Sequence, residues 1–316
     1  MPEKLLLITG PTAAGKTGLG ILLAKQFGGE VVSADSMQIY RGMDIGTAKP
    51  TLSERDGVVH HMLDVAEPEE AYSVARYVEE AGACIDDIFR RGRLPVLVGG
   101  TGLYIDSLLS GRYFARPPED RSLRDMLHYR YEQEGGETLW RELESIDPEA
   151  AARLHPNDKK RVIRALEVFQ LTGKTITAHN RETQVAAPRY DSLKIALTAY
   201  KREDLYRRID QRVDEMADRG LLQEVADLLE KKLPPENTAM QAIGYKEMAR
   251  VILGECSIDR AIGDIKQESR RYAKRQLSWF RRDSEINWVY WEKEPEAQTL
   301  LQVSTQFCCN AGIMKT

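Results

Sequence analysis

The sequence carries no surplus of positive charge: 45 Lys and Arg stand against 49 Asp and Glu in 316 residues, a formal net charge of -4. That balance excludes a protein that coats nucleic acid without discrimination, so a polyanion must be met at a local patch. Long hydrophobic runs are missing as well. The opening Met1-Pro2-Glu3-Lys4 leads into a short apolar run, Leu5 to Ile8, too short for a signal peptide or a membrane span. A cytoplasmic chain without membrane contact, acting as a monomer, is the expectation. Cysteine is scarce: Cys84, Cys256 and the adjacent Cys308 and Cys309 show no CxxC or His-paired spacing. Zinc and redox couples therefore lack ligands, and free thiols in a reducing compartment follow. Low-complexity tracts and repeats of fixed period are absent.

What is present supports one large α/β domain with a smaller appendage, since 42% of the residues are hydrophobic. Leu5-Leu6-Leu7-Ile8-Thr9 reads as a buried strand, followed by glycines and a helix from about Lys16 to Phe27. Further strands are predicted at Val31-Val32-Ser33, Leu94 to Val98, Leu193 to Thr198 and Ile286 to Tyr290. Strands alternating with helical stretches imply a parallel sheet with helices on both faces and a ligand beyond its carboxyl edge. Between Gly111 and Pro188 the strand signal disappears; the segment opens with Arg116-Pro117-Pro118 and continues as charged, helix-favouring sequence. The expected organisation is a discontinuous catalytic domain, 1–111 and 188–316, interrupted by a helical insertion, 112–187. Beyond Trp291 little pattern is visible.

Gly10-Pro11-Thr12-Ala13-Ala14-Gly15-Lys16-Thr17 fits GxxxxGK[ST] between a strand and a helix. Its glycines let backbone N–H groups face a phosphate at a helix N-terminus, Lys16 adds charge, and the Thr17 hydroxyl suits Mg²⁺. The loop indicates phosphate without indicating ATP. A nucleoside triphosphate hydrolase carries an apolar strand ending in Asp for its metal, whereas Leu94 to Val98 ends in Gly99-Gly100-Thr101-Gly102. Asp35, after Val31-Val32-Ser33-Ala34, is open to three readings: a metal ligand, a proton acceptor, or with Ser36 the cap of a turn. Gln38 has the amide needed to read an adenine edge. Adjacent His60 and His61 would face opposite ways on a strand, which argues against a shared metal.

The stretch Ala34 to Pro50, ADSMQIYRGMDIGTAKP, strongly resembles the tRNA dimethylallyltransferase (isopentenyltransferase) family. Similar blocks follow in family order: His60-His61-Met62-Leu63-Asp64, Val98-Gly99-Gly100-Thr101-Gly102-Leu103-Tyr104, Arg161-Val162-Ile163-Arg164-Ala165-Leu166-Glu167 and Lys274-Arg275-Gln276-Leu277-Ser278-Trp279-Phe280-Arg281. The resemblance spans roughly residues 4 to 283. It implies a P-loop kinase-like core whose loop, Gly10 to Thr17, holds the diphosphate of dimethylallyl diphosphate with Mg²⁺. It further implies that Asp35 takes a proton from the adenine N6 amine, that Lys16, Thr17 and Arg208 assist the donor, and that no ATP is consumed. A tRNA anticodon stem-loop would meet Asp35, Ser36, Met37, Gln38, Thr101, Lys159, Lys160, Arg161, Val162, Ile163, Lys274 and Arg275. Ser269 and Ser278 stand where many members have Thr, and Ala14 where Ser is frequent. The Cys/His set of the C-terminal zinc finger found in many eukaryotic members is lacking, which suggests the bacterial type.

On a helical projection Arg270, Arg271, Lys274, Arg275, Arg281 and Arg282 share an arc of roughly 140°, with Tyr272 and Trp279 outside it to pack. Between residues 265 and 282 Glu268 is the only carboxylate. With Lys159, Lys160, Arg161 and Arg164 this reads as two phosphate-contacting patches in an acidic protein, against the plainer reading of solvated faces. Two rivals remain: a kinase or prenyltransferase acting on free adenine nucleotides, and a non-catalytic nucleotide-dependent RNA switch.

Overall fold

The structure, a computed structural model, describes residues 4–111, 121–182, 188–231, 233 and 237–313. Arg116, Pro117 and Pro118, read above as the opening of the insertion, lie outside the described residues. Strand β1 (Lys4–Thr9) is buried from Leu5 onward, as a strand covered on both faces must be. It turns through the glycine loop into α1 (Lys16–Phe27), which stops at Gly28 in the left-handed conformation that suits glycine at a helix end. Then come β2 (Glu30–Ala34), α2 (Leu52–Arg55), β3 (His60–His61), α3 (Val74–Arg90), β4 (Pro95–Gly99) and α4 (Gly102–Leu109). Helices α5 (Arg121–Glu134), α6 (Gly136–Ile146), α7 (Pro148–Ala151), α8 (Lys159–Thr172) and α9 (Ile176–Glu182) follow without a strand among the described residues. The chain ends with β5 (Asp191–Ala199), α10 (Arg202–Asp218), α11 (Leu221–Glu230), α12 (Tyr245–Ile252), α13 (Ile258–Phe280), β6 (Asn287–Trp291) and α14 (Ala297–Asn310).

All six strands form one parallel sheet in the order β3-β2-β4-β1-β5-β6. The chain leaves β1 toward β2 on one side and reaches β5 on the other, so the loops after β1, β2 and β4 converge at one carboxyl edge, where open α/β sheets hold their ligands. Two compact units partition the chain: Met1–Leu109 with Tyr190–Thr316, and Ser110–Arg189. In the first, Leu6, Ile8, Leu23, Phe27, Ile195 and Leu197 form a core that Leu300 and Cys308 of α14 help to close. A second core joins Ile39, Tyr40 and Met43 to Val225, Tyr245 and Ile265. The helical unit has its own core, including Leu127, Leu139, Leu143, Val162, Ile163 and Leu166. Among the described residues no helix is long and apolar enough to cross a membrane.

Three differences from the sequence reading stand out. The segment beyond Trp291 forms α14, a packed helix on α1 and β6. Helix α13 ends at Phe280, so Arg281 and Arg282 lie past its last turn and the basic arc is shorter than a continuous helix would give. Val162 and Ile163, placed above at the tRNA, are 0% and 2% exposed inside the helical unit, so their side chains serve packing and do not offer an RNA surface.

Candidate active site

The phosphate loop holds a conformation that few residues adopt. Gly10 has φ +130°, Gly15 has φ +92°, and Ala13, with a side chain, sits at φ +63°. A Cβ on Gly10 would lie 2.2 Å from the Leu197 carbonyl oxygen, so glycine is required twice over, by dihedral and by the closeness of β5. Such strain persists where the surroundings dictate it, and it concentrates at functional sites. No side chain caps the N-terminus of α1, leaving its first N–H groups for an anion. Lys16 donates from Nζ to the Pro11 carbonyl at 2.7 Å. Burial, then the neighbouring Arg212 cation, pulls its pKa from the ordinary 10.5 down to about 7, with Asp35 acting in the opposite direction.

Asp35 opens the turn after β2. Its Oδ1 accepts the backbone N–H groups of Met37 at 2.9 Å and Gln38 at 3.4 Å, a turn of the kind aspartate favours. Among the described residues Oδ2 accepts no hydrogen bond, so one oxygen of the carboxylate shapes the turn while the residue lines two cavities. The Ser36 N–H donates to Thr101 Oγ1 at 3.0 Å, and the Thr101 N–H to the Ala34 carbonyl at 3.1 Å, which ties the loop after β4 to the acid. Gln38 differs from its sequence reading. Its Nε2 donates to the carbonyls of Thr47 and Ala48 at 3.2 and 3.3 Å, and its Oε1 accepts from the Ser33 hydroxyl at 3.1 Å. Both hydrogens of the amide are engaged, so Gln38 braces the 38–48 loop from the wall of the smallest cavity and has none left to donate to an adenine N7.

Three cavities meet here, of about 440, 300 and 80 Å³. The largest is lined by Ala13 to Gly18 of the phosphate loop with Arg208 and Arg212 of α10. Met37, Ile209, Val213, Met216 and Ile243 make the second largely apolar, with Asp35 and Arg275 among its polar groups. The smallest joins Thr12, Lys16, Thr17 and Asp35 beside His60. Arg212 lines all three, and sequence reasoning missed it. The available signal was its place one helical turn after Arg208, on the same face. Tyr272, assigned above to packing, lines the two cavities that contain Asp35; burial above all pushes its phenol up to about 12, so it stays neutral. Gln276 was overlooked too: its Oε1 accepts from the Thr12 N–H and its Nε2 donates to the Gly100 carbonyl, both at 2.8 Å, clamping the phosphate loop to the loop after β4. His60 and His61 have separate partners, the Val58 carbonyl and Glu30.

The basic faces are thinner than the sequence implied. Arg270 pairs with Asp210 of α10, a carboxylate distant in sequence, and Arg271 with Glu268. Lys274, Arg275 and Arg281 remain exposed. In the helical unit Lys159 pairs with Glu132 and Arg164 with the buried Glu167, while Lys160 and Arg161 begin α8 in exposed positions.

Comparison with known proteins adds an independent line. Residues 38–283 match the family described as IPP transferase, and residues 3–68 that described as isopentenyl transferase. The chain is 49% identical over 286 residues to tRNA dimethylallyltransferase 2 of Geotalea uraniireducens strain Rf4, covering 90% of this chain and 92% of that protein. It is 50% identical over 288 residues to tRNA dimethylallyltransferase of Geobacillus thermodenitrificans strain NG80-2, with coverages of 91% and 90%. Its fold is similar to the crystal structure of full-length tRNA isopentenylpyrophosphate transferase from Bacillus halodurans, with TM-score 0.72, 42% identity and coverages of 98% and 96%. A eukaryotic dimethylallyltransferase acting on tRNA is similar at TM-score 0.80 and 33% identity, over 98% of this chain and 80% of that one.

Proposed function

Because the chain belongs to the IPP transferase family of tRNA dimethylallyltransferases, we propose that it moves a dimethylallyl group from dimethylallyl diphosphate to N6 of the adenine immediately 3' of the anticodon. The observation that carries this reading is the convergence of Asp35, Lys16, Thr17 and Arg212 on one small cavity. The diphosphate rests on the loop Gly10 to Thr17 and the α10 arginines; the adenine enters the apolar cavity beside Met37 and Tyr272. The N6 lone pair attacks the allylic carbon, the carbon–oxygen bond breaks, diphosphate leaves with the bonding electrons, and Asp35 Oδ2 takes the N6 proton. The exocyclic amine is a weak nucleophile because its lone pair is delocalised into the ring, so proton removal as the bond forms contributes about 100- to 10,000-fold. The departing anion meets loop N–H groups, Lys16, Arg208 and Arg212 already in place.

Among the described residues no group of three or more His, Cys, Asp or Glu side chains is clustered to hold a metal ion. The Thr17 hydroxyl with the donor's own oxygens suits Mg²⁺, which binds through few protein ligands and substrate phosphates. Bound there, the ion would neutralise charge on the leaving diphosphate. Extruding the adenine costs a few kcal/mol, least in an anticodon loop, where the base is unpaired. A tRNA substrate also implies a cytoplasmic protein. Mass spectrometry of nucleosides after incubating unmodified tRNA with dimethylallyl diphosphate and Mg²⁺ should reveal N6-dimethylallyladenosine. Unaltered tRNA together with ATP hydrolysis would instead support the nucleotide-switch reading.

The lowered pKa of Lys16 gives a pH signature. Diphosphate favours the ammonium form, so above about pH 7 its binding should draw a proton onto Lys16. Donor affinity should fall as pH rises past that value, by up to about tenfold per unit, and stay level with respect to Lys16 below it. Calorimetry at pH 8 in two buffers of different ionisation enthalpy should show proton uptake that Lys16→Ala lacks. That variant and Thr17→Ala should damage donor use while leaving tRNA affinity, measured without donor, unchanged.

Lys274 and Arg275 supply the RNA-facing charge of α13. Replacing both by Ala should weaken all tRNAs alike and lower the magnitude of the log–log salt slope by somewhat under about 1 for each phosphate that is no longer neutralised. Binding curves at several salt concentrations decide; a slope equal to that of the parent would remove this face from the RNA site.

A further inference from the structure

The segment following β6, Glu292 to Glu296, lies beyond residues 38–283 that match the IPP transferase family, yet it closes on the donor site. Its backbone is stitched to the start of α10: the Lys293 N–H donates to Asp204 Oδ2 at 3.1 Å, and Arg207 Nη2 donates to the Lys293 carbonyl at 2.6 Å. Arg207 in turn donates to Asp204 Oδ1 at 3.0 Å. Lys293 itself sits at φ +57°, a left-handed kink that turns the chain back after the strand. Pro295 then packs on the residue before Lys16. A Cβ on Gly15 would lie 3.1 Å from Pro295 Cβ, so the segment buttresses the last bend of the phosphate loop.

Glu294 sits between these contacts and pairs with Arg208 Nη1. Two further contacts fix the same guanidinium: Nε donates to the Ala13 carbonyl at 3.1 Å, and the group lies over the Trp291 ring, 5.7 Å from its centroid. Carbonyl and carboxylate thus engage two of the three nitrogens of Arg208, Nε and Nη1, and the ring lies against one face. The residue still lines the 440 Å³ cavity, which Glu294 does not line. This is the arrangement in which an outer carboxylate orients a cation toward a ligand it never touches, and a planar guanidinium held at Nε and Nη1 presents its Nη2 hydrogens with little loss of freedom.

We propose that Glu294 is a positioning residue for the diphosphate donor, acting through Arg208, and that the Trp291–Glu296 segment thereby sets donor and product affinity. The inference rests on the reading that Arg208 meets the diphosphate. Charge alone would make Glu294 a rival anion for that cation; the three-sided fixation makes orientation the larger effect.

The test uses the full chain. Glu294→Ala should raise the donor KM and the inhibition constant of inorganic diphosphate together, by about tenfold, the scale of one hydrogen bond to a charged group. The tRNA Kd should stay within about twofold, because the effect runs through the donor, and the turnover number at saturating donor should fall by less than the donor KM rises. Glu294→Gln, which keeps an acceptor, should recover most of the affinity. In an Arg208→Ala background the Glu294→Ala change should have no further effect on diphosphate binding, the non-additivity expected of contacting groups. Tighter diphosphate binding by Glu294→Ala would overturn the proposal in favour of competition, and an equal loss in both backgrounds would reduce Glu294 to a loop contact. Arg208→Ala binding diphosphate as the parent does would overturn the underlying placement of the donor, a separate failure.

Discussion

Asp35→Asn should bind donor and tRNA normally and turn over at least about 100-fold more slowly at saturating substrates. The substitution is chosen because Asp35 Oδ1 already accepts the Met37 N–H, and an asparagine oxygen accepts it equally well. The turn, and with it the Ser36–Thr101 contact, should survive. What disappears is the basic oxygen. Asp35→Ala, by contrast, removes turn and base together and should add a loss of tRNA affinity to the loss of turnover. Comparing the two variants by single-turnover kinetics and binding separates a carboxylate that accepts a proton from one that merely shapes a loop. Near-parent turnover in the asparagine variant would end the proton-acceptor role.

Arg212→Met should reduce turnover per donor bound and donor affinity together, each by about tenfold or more, because one guanidinium lines the cavity of the phosphate loop and both cavities that contain Asp35. Methionine keeps much of the volume, so the fold should hold. A second effect follows from electrostatics. Arg212 is the main charge pushing the Lys16 pKa down, so its removal should move the Lys16 titration upward from about 7. The fall of donor affinity with pH should therefore begin at higher pH in the variant. A pH profile that keeps its inflection would show that burial alone governs Lys16.

Much of this site can be read from residue order. The sequence predicts helix α1 from Lys16 to Phe27, and these are its observed ends, because glycines punctuate both sides and local rules suffice there. The five apolar strands come out to within about two residues, since the inner strands β1, β2 and β4 are continuous buried runs and β5 and β6 carry apolar, β-branched or aromatic residues. Strand β3, two residues long, has no periodicity to display. Helix α14 escapes sequence reading because its Thr, Val, Ser and Cys residues are poor helix formers; packing of Leu300 and Cys308 against the core decides its state. Gln38 misleads for a different reason. Its amide partners are carbonyls nine and ten residues on, in a loop whose path no local signal gives. Arg270 looks unpaired in the sequence because its carboxylate, Asp210, lies sixty residues away on another helix. In each case the failure belongs to contacts that only tertiary structure brings together, and the successes belong to neighbours along the chain.

Strand β1 lies between β4 and β5, and Leu6 stands beside Val96 on one side and Leu193 on the other. The ribosome releases the first neighbour early and the second only after the entire helical unit, Ser110–Arg189, has been made. A nascent chain ending near residue 109 thus carries four of the six strands with one long edge of β1 open, the kind of edge that recruits another chain. The helical unit, with its own core of local contacts, can fold in that interval while the sheet waits. Strand order alone thus leaves one edge of β1 without its partner until the chain beyond residue 189 has been made.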